Sequence, residues 1–238
     1  MRLITWNCRV GGFRKKARHI APLRPDVLAV QEVENIDSQP ILEGEDQPTF
    51  RNRVADPAYP KRAIGVFSYT DVALDPVDLS DTMYAFRRFE ARRAGLLFQV
   101  AAVWNAATES RDTSYRQAHH GLRCHDAWIR RRPTVVLGDF NGNASYRGGD
   151  WQELSDLMAV LGLVSAYHHH FGEAFGRESR PTYFHHGKGS GFHVDYCFLP
   201  EAWATCIANV EVGLHRDWHE ISDHVPLTVD LALPDPPA

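Results

Sequence analysis

Thr134-Val135-Val136-Leu137-Gly138-Asp139-Phe140-Asn141 is the stretch from which the rest of the chain can be read. A short run with strand preference ends on a glycine, a carboxylate and, after one aromatic residue, an amide. A carboxylate at the mouth of an apolar run is costly to bury unless it is paired or bound to a cation. Glycine permits close backbone approach, Asp139 can take a proton from water, and Asn141 can donate to an anionic oxygen. Alone, Asp-x-Asn is a common Asx-turn, so its weight comes from the company it keeps.

That company recurs along the chain. Residues 3–6 run into Asn7, and residues 27–30 run into Gln31-Glu32. His193-Val194-Asp195-Tyr196 sets a carboxylate inside an apolar stretch, and Ser222-Asp223-His224 comes just before the last apolar run. Taken singly, Glu32 reads equally well as an exposed strand-end acid, Asn7 as a turn residue and His224 as a loop histidine. Together they read as neighbouring strand ends converging on a divalent metal and a phosphate. Glu32, Asn7 and Asp223 offer hard oxygen donors of the kind that suit magnesium. Asp195, needing a partner of its own, can orient His224 and raise its pKa.

The remaining apolar runs, at 64–67, 96–104, 194–199, 207–212 and 225–231, are short and β-branched, which favours strands. Helices fit at 14–23, 113–131 and 150–161, closed by Pro25, Pro133 and Gly162. Residues 35–61, with four prolines and several acids, predict a long surface loop, and the tail after Leu233 should fray. With no linker and no repeat, the pattern predicts one domain over 1–238, an α/β sandwich of two facing sheets flanked by helices. Its 238 residues should bury roughly 70–75% of the surface that the unfolded chain exposes. A net charge of −4 makes no global case for nucleic-acid binding. Scattered cysteines and the lack of a leader or spanning segment point to the cytoplasm, with no membrane span and no obligate protein partner.

In this order, Asn7, Gln31-Glu32, Gly138-Asp139-Phe140-Asn141, Val194-Asp195-Tyr196 and Ser222-Asp223-His224-Val225-Pro226 resemble the endonuclease/exonuclease/phosphatase superfamily. The resemblance implies a four-layer α/β/β/α sandwich with a Mg²⁺ (or Mn²⁺) site at one edge. It implies Glu32 as the main metal ligand, helped by Asn7 and Asp223, and Asp139 as the group that positions or deprotonates water. Asn141 would stabilise the transition state, and His224 would contact the phosphate with Asp195 behind it. The reaction would be in-line hydrolysis of a phosphoester.

One departure bears on substrate. Many relatives end the strand matching 96–104 with a His or Tyr, whereas here it ends Trp104-Asn105. Asn105 is the candidate replacement donor, and Trp104 reads as core filling. Arg87, Arg88, Arg92, Arg93 and Arg130-Arg131-Arg132 could follow a phosphate backbone or simply form surface ion pairs. Arg147 and His185 are further candidate substrate contacts. His119-His120, His168-His169-His170 and His185-His186 suggest zinc at first sight, but consecutive residues on a strand point to opposite faces. The sequence thus points to a phosphodiesterase acting on DNA. A phosphomonoesterase of a small metabolite or phosphoinositide is the alternative, and a non-catalytic nucleic-acid-binding module comes third.

Overall fold

The apolar runs form β-strands whose alternate residues face two different cores. From the N-terminus come β1 (Arg2–Asn7), α1 (Phe13–Ile20), β2 (Val27–Val33), β3 (Thr49–Asp56), β4 (Tyr59–Ser68) and β5 (Ala73–Pro76). There follow β6 (Phe86–Arg93), β7 (Leu96–Trp104), α2 (Ser114–Cys124), α3 (Asp126–Ile129), β8 (Thr134–Asp139), α4 (Trp151–Val160), β9 (Leu163–Ser165) and α5 (Ala166–Phe171). The order ends with β10 (Tyr183–Phe184), β11 (Gly191–Phe192), β12 (Asp195–Pro200), β13 (Ile207–Val212), α6 (His215–Trp218) and β14 (Leu227–Leu231). The computed structural model describes residues 1–34, 49–56, 59–77, 85–105, 114–146, 151–185 and 191–234, with backbone alone for 49–61 and 114–115 within them.

Two six-stranded sheets result, ordered β13-β14-β1-β2-β4-β3 and β5-β6-β7-β8-β12-β9. Both are mixed: β1 runs parallel to β2 and antiparallel to β14, while β8 runs parallel to β7 and antiparallel to β12. Leu3, Val27, Ala29, Val100, Val135, Leu137, Cys197 and Val229 meet between the sheets. The intervening residues Ile4, Trp6, Leu28 and Val30 pack outward on Phe13, Ala17 and Ile20 of α1. On the other side Ala101, Val103, Val136 and Phe198 pack on α2, α3 and α4. This is the four-layer α/β/β/α sandwich.

The sequence pattern misses several elements. The segment taken for a loop at 35–61 contains β3 and the start of β4, which pair antiparallel. Pro60 is tolerated because β2 pairs only with residues 63–67 of β4, leaving Pro60 beyond that ladder. β6 is hidden by its arginines, although Phe86, Phe89 and Ala91 are buried. The helix expected at 113–131 breaks at His125 into α2 and α3. Short β5, β9, β10 and β11, and helices α5 and α6, carry too few residues for a periodic signal. Trp104 fills the core between the sheets. Among the described residues no helix is long and apolar enough to cross a membrane.

Candidate active site

At one end of the sandwich the inward-facing series changes from apolar to polar. In β8 the residues facing the other sheet are Val135 and Leu137, and Asp139 is next in that series. Leu3 in β1 is followed on the same face by Thr5 and Asn7, and Val27 and Ala29 in β2 by Gln31. Cys197 and Leu199 in β12 lead back to Asp195. Register aligns them: Asp195 lies directly across from Asp139, and Asn7 from Gln31. Asn7, Gln31, Asp139 and Asp195 are all buried. Gln31 Nε2 donates to Thr5 Oγ1 at 3.1 Å and closes the floor beneath them.

Local backbone conformation aims the remaining groups. A Cβ on Gly138 would lie 1.9 Å from the Val103 carbonyl oxygen, so only glycine lets β7 approach β8 here. Glu32 sits at φ 59° where the β2–β4 register slips, and this left-handed bulge turns its carboxylate back toward β1. Asn141 is also left-handed, at φ 48°. Non-glycine residues pay for such angles and keep them where the surroundings hold them. Ser222 Oγ donates to the Asn7 carbonyl at 2.7 Å and accepts the His224 amide at 3.1 Å, locking the Asp223 loop onto β1.

Hydrogen bonds join these residues into one constellation. Asn7 Nδ2 donates to Asp139 Oδ2 at 2.9 Å and to Glu32 Oε1 at 3.3 Å. The Val10 amide donates to Glu32 Oε2 at 2.8 Å, and Arg62 pairs with the same oxygen at 3.2 Å. Arg9 faces Asp223 at 3.6 Å. The Asn141 amide donates to Asp139 Oδ1 at 2.8 Å, and Asn141 Nδ2 to Asp139 Oδ2 at 3.1 Å and to the Asn105 carbonyl at 2.6 Å. His224 Nδ1 donates to Asp195 Oδ2 at 2.8 Å, which leaves Nε2 facing Asp139 Oδ2 at 4.0 Å. Asp195 Oδ1 is buried without a hydrogen-bond partner.

Two carboxylates facing across β8 and β12 cannot both be comfortable in a dry site. Burial pushes Asp139 up to about 7, with the Asp195 charge adding to it and His224 opposing. Burial also disfavours the charged form of His224, but Asp195 and then Asp139 outweigh it and raise His224 to about 9. The imidazole is therefore a cation with one N–H on Asp195 and the other aimed across the site. Donor atoms of Asp139, Asp195 and His224 lie within 4.8 Å of one another. With both nitrogens protonated, His224 is placed to donate to a phosphate-type oxygen.

The donor chemistry around Asn7, which bonds both Asp139 and Glu32, suits a divalent cation. Glu32, Asp223 and Asn7 supply oxygen atoms only, the donor set of a hard ion. Their loops meet there through Arg9, whose amide donates to Asn7 Oδ1 at 2.9 Å and whose guanidinium faces Asp223. The unpartnered Asp195 oxygen and the raised Asp139 mark negative charge that the protein's own groups leave incompletely balanced.

Asn105 is fully buried and its Nδ2 donates to the Phe140 carbonyl at 3.0 Å, so it props the Asp139 loop and is not an exposed substrate donor. His185 is exposed beside Tyr183, with ring centroids 6.4 Å apart, and Arg147 lies outside the described residues. The arginine triplet pairs with Asp126 and Glu90. Glu90 aligns through Gln99 with Thr134, five residues and about 17 Å along β8 from Asp139. His168-His169-His170 lies on helix α5, not on a strand, and His168 is bound to Ser165 and Glu178. Thr182 and Tyr183 gave no signal in the sequence. Thr182 Oγ1 accepts the amides of Val194 and Asp195, each at 3.0 Å, and the Tyr183 ring packs on His224 at 4.8 Å.

Comparison with known proteins agrees with this geometry. A search of curated protein sequences returns no match. A 3′-5′ exonuclease from Neisseria meningitidis superposes with a TM-score of 0.69 at 19% identity, covering 97% of this chain and 99% of its own. A Neisseria 3′ phosphatase solved with a product DNA hairpin gives 0.67 at 17% identity, covering 98% and 100%. An AP endonuclease from Archaeoglobus fulgidus gives 0.64 at 15% identity, covering 98% and 100%. At these identities the likeness shows a shared fold. The family model described as endonuclease/exonuclease/phosphatase matches residues 4–224. The chain belongs to that family of phosphoester-hydrolysing enzymes.

Proposed function

We propose that this protein is a magnesium- or manganese-dependent phosphodiesterase that cuts DNA, built as one domain over 1–238 and working in the cytoplasm. The observation that carries the chemistry is the buried line Asp195–His224–Asp139, with Asn7 joining Asp139 to Glu32. Glu32, Asp223 and Asn7 would hold the ion, which when bound supplies charge neutralisation at the phosphate oxygens. Asp139, near neutrality in its affinity for a proton, takes the proton of the attacking water. The water oxygen bonds to phosphorus as the ester oxygen leaves in line. His224 holds its second N–H toward a phosphate oxygen, and Asp195 keeps the imidazole charged and correctly turned. Asn141 spends its amide hydrogens on Asp139 and the Asn105 carbonyl, so it orients the base before any donation to the transition state.

DNA as substrate is supported by the names of the structural relatives, which include an exonuclease, an AP endonuclease and a phosphatase bound to a DNA hairpin. The last of these favours a specific second reading, removal of a 3′-phosphate from a DNA end. Four free cysteines, two of them buried, suit a reducing compartment.

The deciding assay offers single-stranded, duplex, nicked, abasic and 3′-phosphorylated DNA, RNA and phosphoinositides to wild type and His224→Ala, with Mg²⁺ or EDTA. Cleavage of DNA that vanishes with EDTA and falls by about 10²–10⁴-fold in His224→Ala is the expected result. Activity that survives EDTA, or is undiminished in His224→Ala, overturns the mechanism. Release of inorganic phosphate without strand cleavage selects the second reading.

A further inference from the structure

A second set of metal-type donors lies apart from the buried carboxylates. α6 is a single turn, and His215 and His219, both exposed, stand four residues apart on it and the residue that follows. Their ring centroids are 5.4 Å apart at an interplanar angle of 40°. Residues at this spacing project from one face of a helical turn, so two imidazole nitrogens can reach a common ion.

Each ring is held in place independently. His219 Nδ1 lies 3.1 Å from the Arg216 carbonyl. A carbonyl can only accept, so Nδ1 carries the proton and Nε2 keeps its lone pair for a ligand. The His215 ring packs on Phe184 with centroids 4.2 Å apart, and it lines a cavity of about 450 Å³. The turn has a direct mechanical link to the buried site: the Ile221 and Ser222 amides donate to the Trp218 carbonyl at 2.8 and 2.9 Å. Trp218 in turn packs edge-on against Trp6, with centroids 5.1 Å apart.

We infer that His215 and His219 chelate a borderline transition-metal ion of the zinc(II) or copper(II) class at a site separate from the carboxylate cluster. Two imidazoles suit such ions and discriminate against magnesium, which prefers oxygen. Among the described residues two positions are filled by protein, so water or an anion entering from the cavity completes the sphere and the ion exchanges readily. Loading stiffens the turn that leads into Ser222-Asp223-His224.

The test titrates the full chain with Zn²⁺ and with Cu²⁺ in wild type, His215→Ala, His219→Ala, His120→Ala and Glu32→Gln, using calorimetry and copper EPR. Both ligands are exposed, so either substitution leaves the fold intact. One site weakened at least about tenfold in each of the two α6 variants and unchanged in the other two is expected. Copper should show hyperfine coupling to two nitrogens that is lost with either histidine. Magnesium-dependent hydrolysis without zinc should be unaltered in both α6 variants. Unchanged zinc affinity in both, loss in only one, or loss in Glu32→Gln in their place overturns the assignment.

Discussion

Asp26 and Asp139 are both buried carboxylates at strand ends, at opposite ends of the same sandwich, and they are held in opposite ways. Asp26, just before β2, accepts the Arg2 amide at 2.6 Å, the Thr70 hydroxyl at 2.7 Å and Arg93 at 3.1 Å. Its donors come from three separate segments, and a cation completes them. Asp139 is also hydrogen-bonded, but it faces Asp195 directly across the sheet and is driven up to about 7. Asp195 keeps one oxygen without a partner. Burial of an acid therefore does not mark function. What marks it is charge left over after local compensation, because a stable fold has no reason to keep such charge unless something else comes to balance it.

Asp195→Asn breaks the comparison most sharply. The amide keeps the acceptor for His224 Nδ1 and places a donor where Oδ1 has no partner, but it removes the charge that holds the imidazole protonated. Hydrolysis should fall by about 10²–10⁴-fold. Stability, measured as the urea midpoint, should change by less than about 1 kcal/mol. A large loss of stability would make Asp195 a structural acid like Asp26.

Asp26→Ala should do the reverse. It removes the acceptor of the Arg2 amide and of the Thr70 hydroxyl, leaves half-buried Arg93 with Asp71 alone, and should cost about 3 kcal/mol in urea unfolding. The kcat of the folded fraction should stay within about twofold of wild type, because β1 and β2 separate this residue from the site by their full length. A parallel collapse of kcat would mean that the two ends are coupled.

The contrast between the two ends explains how far the sequence could be read. A strand that alternates apolar residues and then ends on an acid announces both its direction and the address of that acid. Asn7, Gln31-Glu32 and Asp139 were legible for that reason, and so was Asp195 within its apolar run. Thr182 and Tyr183 were not, since their place comes from pairing with β11 and a bridge to His224 some forty residues along the chain. The arginines of β6 misled in the other direction. Arg88 and Glu90 face outward to Trp128, with the Arg88 guanidinium 5.7 Å from the ring centroid, while Arg93 turns the other way to Asp26, so a row that reads as one basic patch is divided between the two faces of a half-buried strand. Asn105 misled because polarity at a strand end suggests exposure, whereas it is fully buried with its Nδ2 bonded to the Phe140 carbonyl.

His193 extends the comparison to pH. It lies two residues before Asp195, buried, with Nδ1 donating to the Arg180 carbonyl at 2.8 Å and Nε2 without a partner. Burial lowers it to about 4, against 6.5 when unfolded. The unfolded chain thus binds the extra proton first, so this stability is complete above pH 6.5 and drains away as pH falls toward 4. Unfolding free energy should drop by about 2 kcal/mol between pH 7 and pH 5 from this group. His193→Gln should flatten the slope over that window, and an unaltered slope would assign the acid sensitivity elsewhere.

Arg131→Ala probes the satisfied end at its outermost layer and should have the smallest effect. Arg131 and Arg132 share Glu90, which also accepts from Gln99 and Trp128 at 3.1 and 3.0 Å. Removing one exposed cation leaves the carboxylate three other partners, so unfolding free energy should fall by at most about 1 kcal/mol. The salt dependence of DNA cleavage should also be unchanged, because this face lies at the far end of β8 from Asp139. A reduced salt slope in Arg131→Ala would place the DNA track over the helical layer on α3 and away from the strand ends. That would separate the cation path from the carboxylates that do the cutting.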